Sequence, residues 1–336
     1  MKVSVWHNNK DIRLEEVTKP EPGPGEMLVK VHSCGICGSD IVEWYRLPRA
    51  PLVQGHEIGG EVVQTGELLD KFSEGDRVFI APKVPCMKCR YCKNGNYPVC
   101  SEIRERLPGG YAQYILVTKA LIETGTYLIP GSISYDESTF IEPLACVVRA
   151  QRLAGIREGQ TVAIMGSGMS GLLHVKLAKA RKCKVIAVDI NGKKLETARQ
   201  FGADVTVQAE DLASQTASGK MGKADVVMLC TSALPAIDQA WELVDKGGAV
   251  VFFAVPDPGK EVIVPINDLW MKEIRILTSY YCGPPDIVDS IKLLESGTVR
   301  VEDMITHRLP LKDTDRGFAL VANGDESIKV IIRPNE

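Results

Sequence analysis

The chain has 336 residues, 40 basic against 43 acidic side chains and a net charge of −3, so it lacks the basic surplus of a nucleic-acid binder. A hydrophobic fraction of 45% with 25% charged residues is that of a soluble globular protein long enough for two domains, each able to bury a core without staples. No run approaches the roughly 20 apolar residues of a membrane span, and the start, MKVSVWHNNK, lacks the apolar middle of a signal peptide, so the expected compartment is the cytosol.

Strand signals come first: KVSVW at 2–6, MLVKVH at 27–32, EVVQT at 61–65, RVFIA at 77–81 and YAQYILV at 111–117. Proline and glycine punctuate them, as in KPEPGPGE at 19–26. This pattern predicts a small β-rich domain with a loop-rich insertion at about residues 84–105. A helical stretch spans roughly 135–153. From Gln160 onward, short apolar strands alternate with helical patterns. TVAIMG at 161–166 precedes a helix at about 169–181, and KVIAVD at 184–189 precedes one at about 193–201. DVVMLC, AVVFFAV and IRILTS follow. Such alternation predicts βαβ units and a doubly wound parallel sheet. One more helix, DIVDSIKLLESG, leads to a tail ending in SIKVIIRP, whose partner periodicity alone does not identify.

Four of the ten cysteines fall in CMKCRYCKNGNYPVC at 86–100, spaced C-x2-C-x2-C-x7-C. In a reducing compartment such clusters bind metal more often than they form disulfides. Cys86, Cys89, Cys92 and Cys100 suit a closed tetrahedral zinc site, and Lys88, Arg90 and Lys93 between them offset the negative charge of four thiolates. An iron–sulfur cluster is the competing reading, but there the last gap is three residues followed by proline. A site with no open position is structural.

TVAIMGSGMSG sets Gly166, Gly168 and Gly171 as G-x-G-x-x-G between a predicted strand and a predicted helix. Asp189 ends the next strand, where an acidic side chain binds the adenine-ribose 2′-hydroxyl of a dinucleotide. The carboxylate favours NAD over NADP, although Lys193 and Lys194 stand close enough in sequence to neutralise a 2′-phosphate. A glycine turn without any dinucleotide is the plain alternative.

CGICGSD at 34–40 and GHEIGGEVVQTG at 55–66 complete the pattern. GICGSD, then G-H-E-x2-G-x5-G, then the four-cysteine run, then G-x-G-x-x-G with its acidic partner together resemble the zinc-containing medium-chain alcohol dehydrogenase superfamily. The resemblance covers essentially the whole chain. It implies a β-rich GroES-like catalytic domain, residues 1–145 with the return segment 286–336, and a Rossmann domain at 146–285. The active site would lie in the cleft between the two. It also implies two zinc ions per subunit, one structural and one catalytic. Cys37 and His56 are then catalytic zinc ligands, leaving Cys34 as a packing residue. The EPLACV segment resembles the sorbitol (polyol) and threonine dehydrogenase branch, so Glu57 and Glu142 share or alternate at the metal. Zinc acts there as a Lewis acid on the substrate hydroxyl. Ser39 receives the hydroxyl proton and NAD takes the hydride. Gly166, Gly168, Met169, Gly171, Asp189, Lys194, Cys230 and Thr231 form the implied cofactor-binding set. A homotetramer or homodimer built partly on the edge of the Rossmann sheet is the expected assembly.

Two positions depart from the family pattern. Tyr280 or Tyr281 stands about where sorbitol dehydrogenases carry a polyol-binding arginine, and Trp44 is a further expected substrate contact. A linear polyol is therefore the leading substrate class, followed by cyclic or more apolar secondary alcohols and threonine. An NAD-sensing zinc protein without turnover is the non-enzyme alternative. Val42 occupies a position where many members carry a histidine that passes the proton to solvent. Val42→His is expected to change the pH profile of turnover, and an unchanged profile means that the relay does not run through residue 42.

Overall fold

The computed structural model describes every residue except Lys220 and Asp325, and the chain divides into two compact units. One joins Met1–Ala145 to Cys282–Glu336; the other is Cys146–Tyr281. No helix among the described residues is long and apolar enough to cross a membrane.

The second unit carries a six-stranded parallel sheet. Its strands in chain order are Thr161–Met165, Lys184–Asp189, Val205–Gln208, Ala224–Leu229, Val244–Phe252 and Arg275–Thr278. In space they run 3-2-1-4-5-6, the order in which a dinucleotide fold winds outward from its first strand. The central strands are covered on both faces, so they read as unbroken apolar runs: Val162, Ala163, Ile164, Val226, Val227 and Met228 are all fully buried.

In the first unit a seven-stranded sheet surrounds the long strand Met27–Gly35. That strand pairs antiparallel with Glu57–Thr65, with Tyr114–Val117 and with Lys329–Arg333. The tail strand is thereby assigned: Ile331 faces Gly35 and Ile332 faces Cys34 across the ladder. Cys34 is fully buried in this core, among Ile58, Tyr111 and Ile332. Separate small sheets are formed by Asp11–Glu16, Lys2–Asn8 and Leu52–Val53, and by Lys83–Val84 with Glu105–Arg106 beside the cysteine-rich lobe.

The helical stretch read at 135–153 is two helices, Tyr135–Ser138 and Ile141–Ala154. Ser134 and Glu137 form a reciprocal capping box that starts the first. The Ser138 and Thr139 hydroxyls bond back to the carbonyls of Tyr135 and Asp136, at 2.6 and 2.7 Å, and close it. Pro143 has no N–H to continue the ladder onto Thr139, and it is tolerated because it falls in the first turn of the second helix.

Asp136 ties this short helix to the returning chain. Its carboxylate accepts from Ser33 Oγ at 2.6 Å, Arg308 Nε at 2.7 Å and Arg333 Nη2 at 2.7 Å. Burial raises the Asp136 pKa, but these three donors outweigh it and hold the group below the usual carboxylate range. Asp136→Ala is expected to lower stability by about 2 kcal/mol, the scale of a few charge-assisted hydrogen bonds with partly exposed arginines. Because the folded pKa is depressed, that contribution is complete above the unfolded pKa of about 4 and is lost as pH falls through the folded value. Urea titrations of both proteins at pH 7 and pH 3 measure it, and an equal gap at the two pH values would refute the assignment.

Candidate metal centres and dinucleotide turn

Pairing of Met27–Gly35 with Glu57–Thr65 sets Gly35 opposite Glu57, so Cys37, just past one strand, meets His56 and Glu57 at the start of the other. The Cys37 sulfur, a His56 ring nitrogen and a Glu57 carboxylate oxygen all lie within 4.8 Å of one another. Glu57 is fully buried. Its Oε2 accepts from Lys329 Nζ, whose side chain is equally inaccessible. Gly35 leaves room for this pair, since a Cβ there would collide with Glu57 Oε2 and Lys329 Nζ. Glu57 Oε1 is buried and has no hydrogen-bond partner among the described residues. An orphaned carboxylate oxygen beside a thiol and an imidazole is a costly arrangement for a protein alone and a fitting one for a divalent cation.

Asp40 organises the ring of His56. It is fully buried, and its Oδ1 lies 3.2 Å from His56 Nδ1 and 2.8 Å from Arg46 Nη2. Oδ2 accepts from the Tyr111 hydroxyl at 2.8 Å and from the Cys37 N–H at 3.2 Å. Burial alone would raise the Asp40 pKa, but His56, Arg46 and Tyr111 reverse the effect and bring it to about 2. Burial also disfavours the charged form of His56, and the Asp40 carboxylate with the Cys37 sulfur overrides that, leaving His56 well above its ordinary value. A carboxylate at Nδ1 favours a proton on that nitrogen and leaves Nε2 as the nitrogen available to a metal.

Ser39 stands beside this group. Its hydroxyl and its backbone N–H both lie 3.4 Å from Cys37 Sγ. Val42 precedes the one-turn helix Glu43–Arg46 and offers no titratable atom. Trp44 on that helix is 45% exposed and meets Tyr45 edge-on at 5.8 Å.

Glu142 is buried in the first turn of Ile141–Ala154; its carboxylate is not one of the three groups that lie within 4.8 Å of one another at Cys37, His56 and Glu57, and it lies within 4.8 Å of the Cys282 sulfur. Tyr280 is 54% exposed and stacks at a tilt on Tyr281, which has a left-handed backbone (φ 59°).

Cys86, Cys89, Cys92 and Cys100 also form one group within 4.8 Å. Their sulfur separations of 3.6 to 4.0 Å are far too long for a disulfide and match the edge of a tetrahedron with metal–sulfur bonds of ~2.3 Å. Backbone N–H groups of Cys86, Cys89 and Glu102 point at these sulfurs from 3.2 to 3.4 Å, which favours thiolate. The Cys92 backbone brings Cys89 down, whereas burial pushes Cys92 up.

In the second unit, Gly166 turns with φ 97° against Cys230 and Thr231, where a Cβ would sit 3.2 Å from the Cys230 backbone. A Cβ at Gly171 would strike the Gly166 carbonyl, so helix Met169–Ala180 packs tightly on its strand only with glycine there. Gly168 is open and this helix has no side-chain N-cap, which leaves its first N–H groups for a pyrophosphate. Asp189 Oδ2 accepts from Ser167 N at 2.7 Å and Oδ1 from Asn191 N at 2.8 Å, holding the carboxylate at the turn. Lys194 lies in the first turn of the next helix, Gly192–Gln200, capped by Asn191. The Ser167 hydroxyl is buried without a partner among the described residues.

Sequence reasoning missed Asp40, Arg46, Tyr111 and Lys329. Asp40 was within reach, since it follows Ser39 directly in GICGSD; Lys329 is 272 residues from Glu57, with no local signal.

Comparison with known proteins places the chain in a family. The alcohol dehydrogenase GroES-like domain family matches residues 23–125, and the zinc-binding dehydrogenase family matches 171–296. An erythritol/L-threitol dehydrogenase of Mycolicibacterium smegmatis is 34% identical, covering 99% of this chain and 98% of its own. The sorbitol dehydrogenase of Gallus gallus is 30% identical over 98% of this chain and 95% of its own. A zinc-binding dehydrogenase of Sinorhizobium meliloti, crystallised with NADP, superposes with a TM-score of 0.87 at 29% identity, covering 99% of both chains. With the GroES-like and Rossmann parts both present, the chain belongs to the zinc-containing medium-chain alcohol dehydrogenase superfamily, in its sorbitol (polyol) dehydrogenase branch.

Proposed function

We propose that this zinc-dependent oxidoreductase converts a secondary hydroxyl of a linear polyol to a ketone with NAD as acceptor. The observation that carries the reading is the Cys37–His56–Glu57 group with its orphaned Glu57 oxygen, set beside the Ser39 hydroxyl. Cys37, His56 and Glu57 hold the catalytic zinc at rest, with Glu142 as the alternate carboxylate, and the four lobe cysteines hold a structural zinc. When bound, the catalytic ion supplies a Lewis acid and the nicotinamide a hydride acceptor.

The chain's own residues do the rest. Asp40 keeps His56 in the ligand tautomer, and Lys329 keeps one Glu57 oxygen engaged so that the other faces the site. Ser39 Oγ accepts the substrate hydroxyl proton and passes its own to water, since Val42 offers no onward base. Gly166, Gly168, Met169 and Gly171 receive the pyrophosphate. Asp189 takes the ribose diol, and its carboxylate would repel a 2′-phosphate. Lys194, Cys230 and Thr231 complete the cofactor rim, and Trp44, Tyr280 and Tyr281 contact substrate. Exposed aromatic faces also suit a cyclic secondary alcohol, which is the second reading.

Assembly follows from the outer strand Arg275–Thr278, which ends the sheet with Ile276 exposed, on a unit that also exposes Ile263, Ile266, Trp270 and Met271. An apolar sheet edge of this kind is a pairing template, and we assign it to a homo-oligomer contact.

Turnover of the zinc-replete protein with linear polyols, cyclic polyols, threonine, 2,3-butanediol and simple secondary alcohols tests the reaction. A linear polyol with NAD at least about tenfold better than NADP in kcat/KM is expected. Preference for NADP would overturn the role of Asp189, and silence across the panel would overturn the substrate class. Light scattering tests the assembly: Ile276→Lys with Trp270→Glu should yield monomers, and a monomeric parent protein would refute the contact.

A further inference from the structure

Arg46 has no assigned part in the reaction, yet its guanidinium reaches both halves of the catalytic group. Nη2 donates to Ser39 Oγ at 2.9 Å and to Asp40 Oδ1 at 2.8 Å, and Nε donates to the Ser39 carbonyl at 3.0 Å. That same Oδ1 is the oxygen facing His56 Nδ1. One nitrogen therefore bridges the serine beside Cys37 and the carboxylate that orients His56. The Arg46 side chain is only 12% exposed, so water competes little for these bonds. Its Cζ lies 5.1 Å from the Tyr45 ring centroid, a further constraint on the guanidinium.

We infer that Arg46 is the positioning residue of this active site, fixing the Ser39 hydroxyl toward substrate and the Asp40–His56 pair toward the metal; the inference rests on the dehydrogenase reading above. A serine hydroxyl has one proton to donate and two lone pairs to offer. Arg46 occupies one lone pair, so a substrate hydroxyl meets the other, and the serine proton points away from the cation. The positive charge favours Oγ giving up its own proton to water ahead of taking the substrate's, when negative charge builds on Oγ. Arginine stays protonated at any working pH, so Arg46 cannot carry the proton onward as a histidine would. Residue 42 and Arg46 stand one turn apart, the Arg46 N–H bonding the Val42 carbonyl at 3.2 Å. Val42 offers no titratable atom, and the fixed cation stands one turn later.

The test compares the parent protein with Arg46→Met, Arg46→Lys, Ser39→Ala and the double variant Arg46→Met/Ser39→Ala. It measures kcat and KM for the best alcohol, and separately the rate at which zinc is lost to a chelator. Arg46→Met is expected to lower kcat about 10- to 100-fold, with KM within about threefold, and to speed zinc loss severalfold, the range seen when residues behind metal ligands are changed. Arg46→Lys should keep zinc loss near the parent rate, because an ammonium still neutralises Asp40, while restoring kcat only in part. In the Ser39→Ala background, Arg46→Met should cost less than about threefold in kcat yet still speed zinc loss. An undiminished kcat loss in that background, or zinc loss unchanged by Arg46→Met, would overturn the inference. Should Arg46→Met not fold, Arg46→Lys decides: parent-like kcat refutes the need for a planar fork. Absence of turnover in the parent would instead sink the functional reading, and the zinc-loss comparison would still decide the Asp40 arm.

Discussion

Glu57 and Lys329 are paired in the first unit without any solvent access. Breaking such a pair by removing one partner typically costs about 3–5 kcal/mol, because the survivor is left charged and buried. The pair needs a tail strand beside the catalytic strand, and it needs glycine at residue 35, where any side chain would fill the slot. The return of the chain's last strand to its third is therefore part of the site itself. It also leaves one Glu57 oxygen engaged by Lys329 and the other, buried and without a partner among the described residues, beside Cys37 and His56.

Asp40 plays the corresponding part for Cys37 and His56. A carboxylate with no exposure keeps its charge only if donors surround it, and here a guanidinium, an imidazole, a phenol and a backbone N–H do so. Burial and Asp40 together keep the Tyr111 phenol protonated, so it remains a donor. The result is a rigid hub that orients His56 through its ring and Cys37 through its backbone, two members of the candidate metal group. Rigidity of this kind matters for catalysis, because misplacement by an ångström costs rate even where every group is present.

The second unit relies on a different device. Its candidate dinucleotide turn is assembled mainly from one strand–turn–helix segment, with the first backbone N–H groups of helix Met169–Ala180 left uncapped by side chains. Gly166 supplies the left-handed turn, Gly171 the close packing of helix on strand, and Asp189 is held by two N–H bonds at the end of the neighbouring strand. The cysteine lobe is likewise local, with four sulfurs converging from one loop.

Local chemistry was accordingly readable from the chain alone. The four-cysteine loop and the glycine turn rest on short spacings within one segment, the parallel-sheet half on strand–helix alternation, and the GICGSD and GHE segments were paired only through the family resemblance, since strand pairing brings them together. Long-range placement was not. Periodicity recognised SIKVIIRP as a strand but not its neighbour, since hydrogen-bonded pairing is decided by which sheet has room, and Lys329 became a site residue only through that pairing. The helical stretch at 135–153 was legible as helix, whereas its break depended on side chains bonding back to their own carbonyls. Residue types at short spacing determined what chemistry this protein carries; the tertiary structure alone decided which distant charges, Lys329 on Glu57 and Asp136 on Arg308 and Arg333, hold that chemistry in place, because a buried charge finds its partner in space and not along the chain.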